Sequence, residues 1–287
     1  MRERLHSLAD RVRLDRRIVH ATSLAAKAWH LVDFVARQTT EIEGRVQHLE
    51  RVASIDSTMA WVERATVPTE TLVSVVTVTK DRPELLARAL ESLRAQAYPN
   101  WELILVDDHS TPANAAAMAR LVADDDRVTQ VSAELHGLAA GRNSGRRAVS
   151  GQIVTYLDDD NEMHPLWLKA AVWAFQQRPE IDIFCGGRVI EDIHHAGGTA
   201  GRSFPTVHFE AVDSQVLERR MQSDGGCIAH RASVRTESDA RFARSDDWDW
   251  LARATRDHSY EMLPCIAVFY ATGTPDRLST GVGRARG

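Results

Sequence analysis

Residues 158 to 161 read Asp-Asp-Asp-Asn and close the apolar run Thr155-Tyr156-Leu157. Three adjacent carboxylates repel one another, so a cation is expected among them. Hard divalent ions such as Mg2+ or Mn2+ take carboxylate oxygens and leave positions open for phosphate oxygens. If the strand continues through this run, Asp158 and Asp160 share one side-chain parity and Asp159 points elsewhere. One carboxylate then reaches a metal that bridges to a diphosphate, while a neighbour accepts a hydrogen bond from a sugar or ribose hydroxyl. Two further stretches have the same character: Thr79-Lys80-Asp81-Arg82 and Asp107-Asp108-His109-Ser110, each behind a β-branched or aliphatic run. Turns favour Asp and Asn for reasons of their own, so one such end carries little weight. Three together point to one crevice, because ligands of open α/β sheets bind beyond the carboxyl ends of the strands.

The elements that must position these ends are legible as a texture. From Leu72 the chain reads LVSVVTVT, the continuous β-branched pattern of a strand buried on both faces. A helical stretch opens at Pro83, followed by the strand WELILVDD, a helix around ANAAAMARLVA, a short strand near RVTQVS, a helix around LAAGRNSGRRAV and the strand QIVTYLDDD. Regular alternation predicts a doubly wound, Rossmann-like, mostly parallel sheet from Leu72 to Asp160. After Asn161 the pattern loosens into a helix at LWLKAAVWAFQQ, a strand at IDIFCGGRVI, a glycine-rich loop at HHAGGTAG, an apolar patch at GGCIAHRASV, a helix at DDWDWLARAT and a last strand at LPCIAVFYA. Before Leu72, the chain to Asp56 has no proline and only Gly44 interrupts a helix-permissive run. This reads as two or three helices, forming a hairpin that packs on the main domain or mediates homo-oligomer contacts, with association of the Arg-rich start at a membrane surface as the alternative. The expected division is a helical region at 1–70, the main domain at 71–275 and a flexible tail at 276–287.

Composition removes several classes. A formal charge of -5 and a pI near 6.2 leave no electrostatic footprint for a nucleic-acid binder. Cys185, Cys227 and Cys265 lie far apart without zinc spacing, and read as reduced, mostly buried thiols. The charged N-terminus holds no signal-peptide core, and no apolar run reaches the roughly 18 to 20 residues of a membrane span, so the cytoplasm is the expected compartment. Neither a G-x-x-x-x-G-K-[ST] nor a G-x-G-x-x-G motif occurs, which disfavours kinase and dehydrogenase chemistry.

Three ordered segments, VSVVTVTKDRPELLARALESLRAQAYPNWELILVDDHS, HGLAAGRNSGRRAVSGQIVTYLDDDNEMHP and DDWDWLAR, together resemble a family 2 glycosyltransferase of the GT-A fold, from Val73 to about Ser279. The resemblance implies a nucleotide-sugar donor, a divalent metal (Mn2+ or Mg2+) and an inverting transfer to an acceptor hydroxyl. It matches Thr79 and Asp81 to positions flanking the nucleoside. Asp107 and Asp108 match an acid pair of which one accepts a hydrogen bond from the base. Such an acceptor suits the N3-H of uracil or thymine, so UDP is the favoured carrier and dTDP the next. Arg142 matches an arginine near base and phosphates, and Asp158, Asp159 and Asp160 match the D-x-D region, with Asp160 the best metal ligand. Asp247 matches the catalytic base, with Asp246 as the alternative.

At the start of a helix, both acids also suit a capping role behind Ser245, where the helix dipole would lower the pKa of Asp247. His136 and Gly141 depart from the family pattern, which has Asn and Ala there, and both would lie near the donor. His194 and His195 are candidates for a further metal ligand, though a solvated loop is the favoured reading. His230 is expected to pack or to face the acceptor. Trp248 and Trp250 are candidates for sugar stacking, with core packing expected for at least one. A nucleotidyltransferase and a catalytically silent nucleotide-binding scaffold remain the alternatives to transfer, and the acceptor stays open among saccharide, lipid, natural product and peptide.

Overall fold

The computed structural model describes residues 2–192, 206–209, 224–242 and 246–272, with the side chains of 2–26, 191–192 and 271–272 left aside. The calls on His194, His195, Ser245, the HHAGGTAG loop and the 276–287 tail lie outside these residues. The chain divides into two compact units, residues 1–51 and 52–287.

The helical prefix is one helix, α1 (Arg2–Arg64), and not the two or three helices expected. Without proline the ladder has nothing to end it, and a Cβ at Gly44 would meet no atom, so this glycine marks no tight turn. The last turns of α1 belong to the second unit, where Ile55 and Val62 are buried. Among the described residues no helix is long and apolar enough to cross a membrane.

In the second unit, β1 (Val73–Thr79), α2 (Pro83–Arg94), β2 (Trp101–Asp107), α3 (Pro112–Val122), β3 (Val128–Ser132), α4 (Leu138–Arg147) and β4 (Ile153–Tyr156) alternate as the sequence predicts. Strands β1, β2, β3 and β4 pair in parallel, with Thr79 opposite Asp107 at the carboxyl ends. Helix α2 shows how pattern becomes packing: Leu86, Ala89, Leu90 and Leu93 recur at helical spacing and all are buried. The chain continues through β5 (Asn161–Met163), α5 (Trp167–Gln177), β6 (Ile183–Asp192), β7 (Thr206–His208), a 3-10 turn (Gly225–Cys227), β8 (Ile228–Arg231), α6 (Asp246–Asp257) and β9 (Tyr260–Thr272). The sheet order is β3-β2-β1-β4-β8-β6-β9-β5, with β7 on β6, and β8 runs antiparallel to β4. A parallel half is thereby joined edge to edge to a mixed half, and the seam between β4 and β8 lies beside the acidic run. All three cysteines are free and buried, in agreement with their reading as reduced core thiols.

Candidate functional site

Strand β1 ends at Thr79, whose hydroxyl donates to Asp159 Oδ2 at 2.8 Å. Just beyond it, Asp81 adopts φ 56°, and beyond β2 His109 adopts φ 59°. Left-handed conformations are uncommon for residues other than glycine, and they cluster where a chain must turn sharply at a site. Asp81 is held there by its own bonds: Oδ1 accepts from the Thr111 amide at 2.7 Å, the Thr111 hydroxyl at 2.9 Å and Asn114 Nδ2 at 3.0 Å. These donors, Asn114 foremost, hold its pKa below the ordinary carboxylate value. Asp81 therefore ties the turn after β1 to the start of α3.

The acids after β2 divide their work. Asp107 Oδ1 accepts from the Ser110 amide at 3.0 Å and shapes the turn. Asp108 receives the Gly137 amide on both oxygens at 3.1 Å. Gly137 sits at φ 107°, a conformation glycine alone takes without strain, and it opens α4. His109 and His136 stack with centroids 3.8 Å apart, and their Nδ1 atoms lie 3.3 and 3.7 Å from Asp108 Oδ1. Asp108, His109 and His136 form a group whose possible ligand atoms all lie within 4.8 Å of one another. His136 thus lies on the acid matched to base recognition. Gly141 does something else: a Cβ there would fall 2.6 Å from Val78 Cγ1, so its small size serves the packing of α4 on the sheet.

Strand β4 stops at Tyr156 and the three aspartates follow in a turn, so the parity expected of them does not apply. Asp159 and Asp160 go together, toward Arg82 Nη1 at 3.1 and 3.8 Å. Burial pushes Asp159 up to about 6, although Arg82 and Thr79 pull the other way. Asp158 turns instead to Arg142, whose Nη2 donates to its Oδ1 at 3.0 Å. The other nitrogen, Nη1, donates to both oxygens of Asp246, at 3.0 and 2.9 Å. This guanidinium is buried, and the carboxylates around it hold its pKa far above the usual value against the pull of burial. Gly225 completes the packing, since a Cβ there would lie 2.7 Å from Arg142 Nη2.

Helix α6 opens on Asp246 and Asp247. Asp246 is 1% exposed and chelates Arg142. Asp247 Oδ2 accepts from the Gly225 amide at 2.9 Å and Oδ1 from the Trp248 amide at 2.9 Å. Burial first, then the neighbouring Asp246 and Asp158, raise the pKa of Asp247. This reverses the expected lowering by the helix dipole: desolvation and like charge outweigh a partial charge at the helix end.

One acid escaped the sequence reading. Asp224 is buried before the 3-10 turn, with Oδ1 accepting from Gly226 N at 3.1 Å and Oδ2 lying 3.3 Å from Arg188 Nη1. Burial and the charges of Asp158 and Asp247 push it up to about 7. The available signal was an Asp ahead of two glycines and an apolar run, which also describes an ordinary turn. His230, by contrast, is a core residue. Its Nδ1 lies 2.8 Å from the Arg231 carbonyl and its Nε2 3.0 Å from the Tyr156 hydroxyl. The carbonyl can only accept, so Nδ1 carries the proton and Nε2 accepts from Tyr156. Burial lowers its pKa to about 3. Trp250 is likewise committed to packing, its indole N–H bonded to the Thr236 carbonyl at 2.7 Å, while Trp248 packs partly buried against the same cluster.

Among the described residues, the acids and histidines close enough to one another to hold a metal ion are Asp108, His109 and His136, and the acids around Asp158 are not part of that group. Burial first, and then the charges of Asp158 and Asp247, keep a proton on Asp224 to about pH 7.

The family model for glycosyl transferase family 2 matches residues 74–237. The chain is 33% identical over 93 residues to the GalNAc(5)-diNAcBac-PP-undecaprenol beta-1,3-glucosyltransferase of Campylobacter jejuni, covering 32% of this chain and 30% of that one. It is 30% identical over 124 residues to the glucosyl-dolichyl phosphate glucuronosyltransferase of Haloferax volcanii, covering 42% and 38%. The chain therefore spans about a third of the length of these relatives. Among solved structures, the S. aureus TarS 1-349 crystal structure aligns with a TM-score of 0.55 at 17% identity, over 69% of this chain and 60% of that one. The same protein in complex with UDP-GlcNAc aligns at 0.54 and 16% identity, over 73% and 61%. At these identities the likeness speaks for the fold.

Proposed function

The chain belongs to glycosyl transferase family 2, and on that premise we propose that it moves a sugar from a nucleoside-diphosphate donor to an acceptor hydroxyl with inversion. The observation that carries the reading is the Arg142 bridge, which joins Asp158 behind β4 to Asp246 at the start of α6. It sets the acid-rich strand ends beside Asp247, the acid that would act as base.

The nucleoside would lie along Thr79, Asp81, Asp107 and Asp108, with Asp108 accepting from the base. The complexes of TarS with UDP and UDP-GlcNAc favour a uridine carrier, with dTDP next. Asp158 lies 3.0 Å from Arg142 and Asp160 3.8 Å from Arg82, so these two acids would hold a Mn2+ or Mg2+ ion, which would neutralise charge on the leaving diphosphate, only once the two ion pairs open. Asp247 would accept the proton of the acceptor hydroxyl as its oxygen attacks C1 from the face opposite the leaving group. Its raised pKa strengthens it as a base, and the Gly225 and Trp248 amides orient the carboxylate. Asp246 is a poorer candidate, because it is 1% exposed and its carboxylate is chelated by the buried Arg142 cation.

The test is a thermal-shift panel of UDP, dTDP, GDP, CDP and ADP, each with Mn2+, Mg2+ or EDTA, on the wild type and Asp160→Asn. A ligand at 100 times its dissociation constant adds about 2.7 kcal/mol. Stabilisation by UDP that requires metal and Asp160 is the expected result. Silence toward every nucleotide would sink the donor assignment and leave the scaffold alternative.

A further inference from the structure

In the first unit, α1 carries a row of large apolar side chains that nothing in that unit covers. Val32, Val35, Ile42, Val46 and Leu49 are each between 47% and 67% exposed, and Trp29, Leu31 and Phe34, which flank this row, between 59% and 65%. Contiguous exposed apolar surface on this scale marks an interaction face. The spacing says what kind. Val32, Thr39 and Val46 fall seven apart, as do Val35, Ile42 and Leu49, and the two series alternate by three and four residues. Upstream the sequence keeps the same phase with Ile18, Ala21, Ala25 and Ala28. A seven-residue apolar repeat is the seam of a coiled coil, whereas an isolated amphipathic helix would follow 3.6 residues.

We propose that residues 28–49 of α1 pair with the same segment of a second copy of this chain as a parallel, in-register two-stranded coiled coil. β-branched residues hold the a positions Val32, Thr39 and Val46, and of the d positions Val35, Ile42 and Leu49 the last is the Leu that, opposite β-branched a residues, favours two strands. Flanking charges set the direction. In a parallel pair each g residue meets the e residue of the next heptad on the partner, which brings Arg45 to Glu50 and Gln38 to Glu43. An antiparallel pair would instead set the row of Glu43 and Glu50 against its own copy. Gly44 occupies an outward f position, consistent with the open space around it. The competing occupant, an anionic membrane surface, is disfavoured by charge: Lys27, Arg37, Arg45 and Arg51 are matched by Asp33, Glu41, Glu43 and Glu50. A helix lying on such a surface presents a predominantly basic polar face.

The experiment is the mass of the full chain by light scattering and sedimentation equilibrium at micromolar concentration. Twice 32.0 kDa is expected for the wild type. Ile42→Asp should return it to the monomer mass while UDP binding and the melting of the transferase unit stay unchanged. Should that variant lose its helix, charge variants that keep the apolar seam test the same point. Arg45→Glu and Glu50→Arg should each weaken association by about five-fold, and an equimolar mixture should recover it as a heterodimer. For register, Val46→Cys should form an intermolecular disulfide on oxidation and Arg37→Cys, at an outward position, should not. A monomeric or trimeric wild type would overturn the proposal, as would an unchanged mass in Ile42→Asp or absent Val46→Cys cross-linking. A monomer that sediments with phosphatidylserine vesicles would overturn it in favour of the membrane.

Discussion

Two arginines divide the three consecutive aspartates between them. Arg82 takes Asp159 and Asp160, so its cluster is drawn from the turns after β1 and β4, strands that are neighbours in the sheet. Arg142 takes Asp158 and, across 104 residues of sequence, Asp246. Their surroundings differ as well, with side-chain exposures of 21% for Arg82 and 6% for Arg142. The first cluster reinforces a geometry that the register of the parallel half already imposes. The second is what brings α6, from the mixed half, to the strand ends. A buried ion pair is weak evidence for stability in general, but removing one partner leaves an uncompensated charge. The two clusters should therefore respond to mutation in different ways.

The largest effect is expected at Arg142→Ala. Stranding Asp158 and Asp246 should cost about 3 to 5 kcal/mol in urea unfolding and abolish transfer. A variant that unfolds like the wild type would show that the bridge does not join the halves. Next comes Asp247→Asn, for which kcat should fall by about two to four orders of magnitude. Stability should hold or rise, since an amide cannot join the repulsion that raises this acid, and UDP binding should survive. Unchanged turnover would remove Asp247 from its role.

The third prediction concerns Asp224 in metal-free buffer. Its folded pKa of about 7 stands above the ordinary 3.8, so between these values the native state holds a proton that the unfolded chain has released. Stability should then fall as pH rises from about 4 to about 7, by a few kcal/mol at most. Asp159, at about 6, adds a fall of the same sign. Asp224→Asn should flatten the profile and melt higher than the wild type at pH 8; parallel profiles for the two proteins would contradict the placement of this acid. The smallest effect is expected at Arg82→Ala, a loss of about 1 to 2 kcal/mol for a partly solvated guanidinium, with transfer reduced but measurable. A loss matching that of Arg142→Ala would erase the distinction between the clusters.

Much of the parallel half was legible because its signals are local. A β-branched run, a helix with Leu86, Ala89, Leu90 and Leu93 on one face, and acids at the strand ends each follow from residues close in sequence. The strand ends that carry Thr79, Asp108 and Asp158 through Asp160 were named on that basis, while the roles of these residues, and Arg142 altogether, came from the resemblance to family 2 glycosyltransferases. The mixed half was less legible. Asp224 gave no sign of its place, because its importance rests on Asp158 and Asp247, 66 residues before it and 23 after. Likewise the sign of the Asp247 shift depends on burial, which the local helix start does not reveal.

By itself, then, the sequence determined the alternating elements, the acid-bearing ends of β1, β2 and β4, the helix that Asp246 opens and the burial of the three cysteines. Periodicity, turn chemistry and order along the chain suffice for these, since each depends on neighbours within a few residues. Only the tertiary structure decided that Asp158 parts company with Asp159 and Asp160, that Arg142 chelates Asp246, that His230 spends both nitrogens in the core and that Asp224 joins the acids. These outcomes turn on distance and desolvation between segments far apart in the chain, and charge in a buried site takes its energy from what folding brings near it.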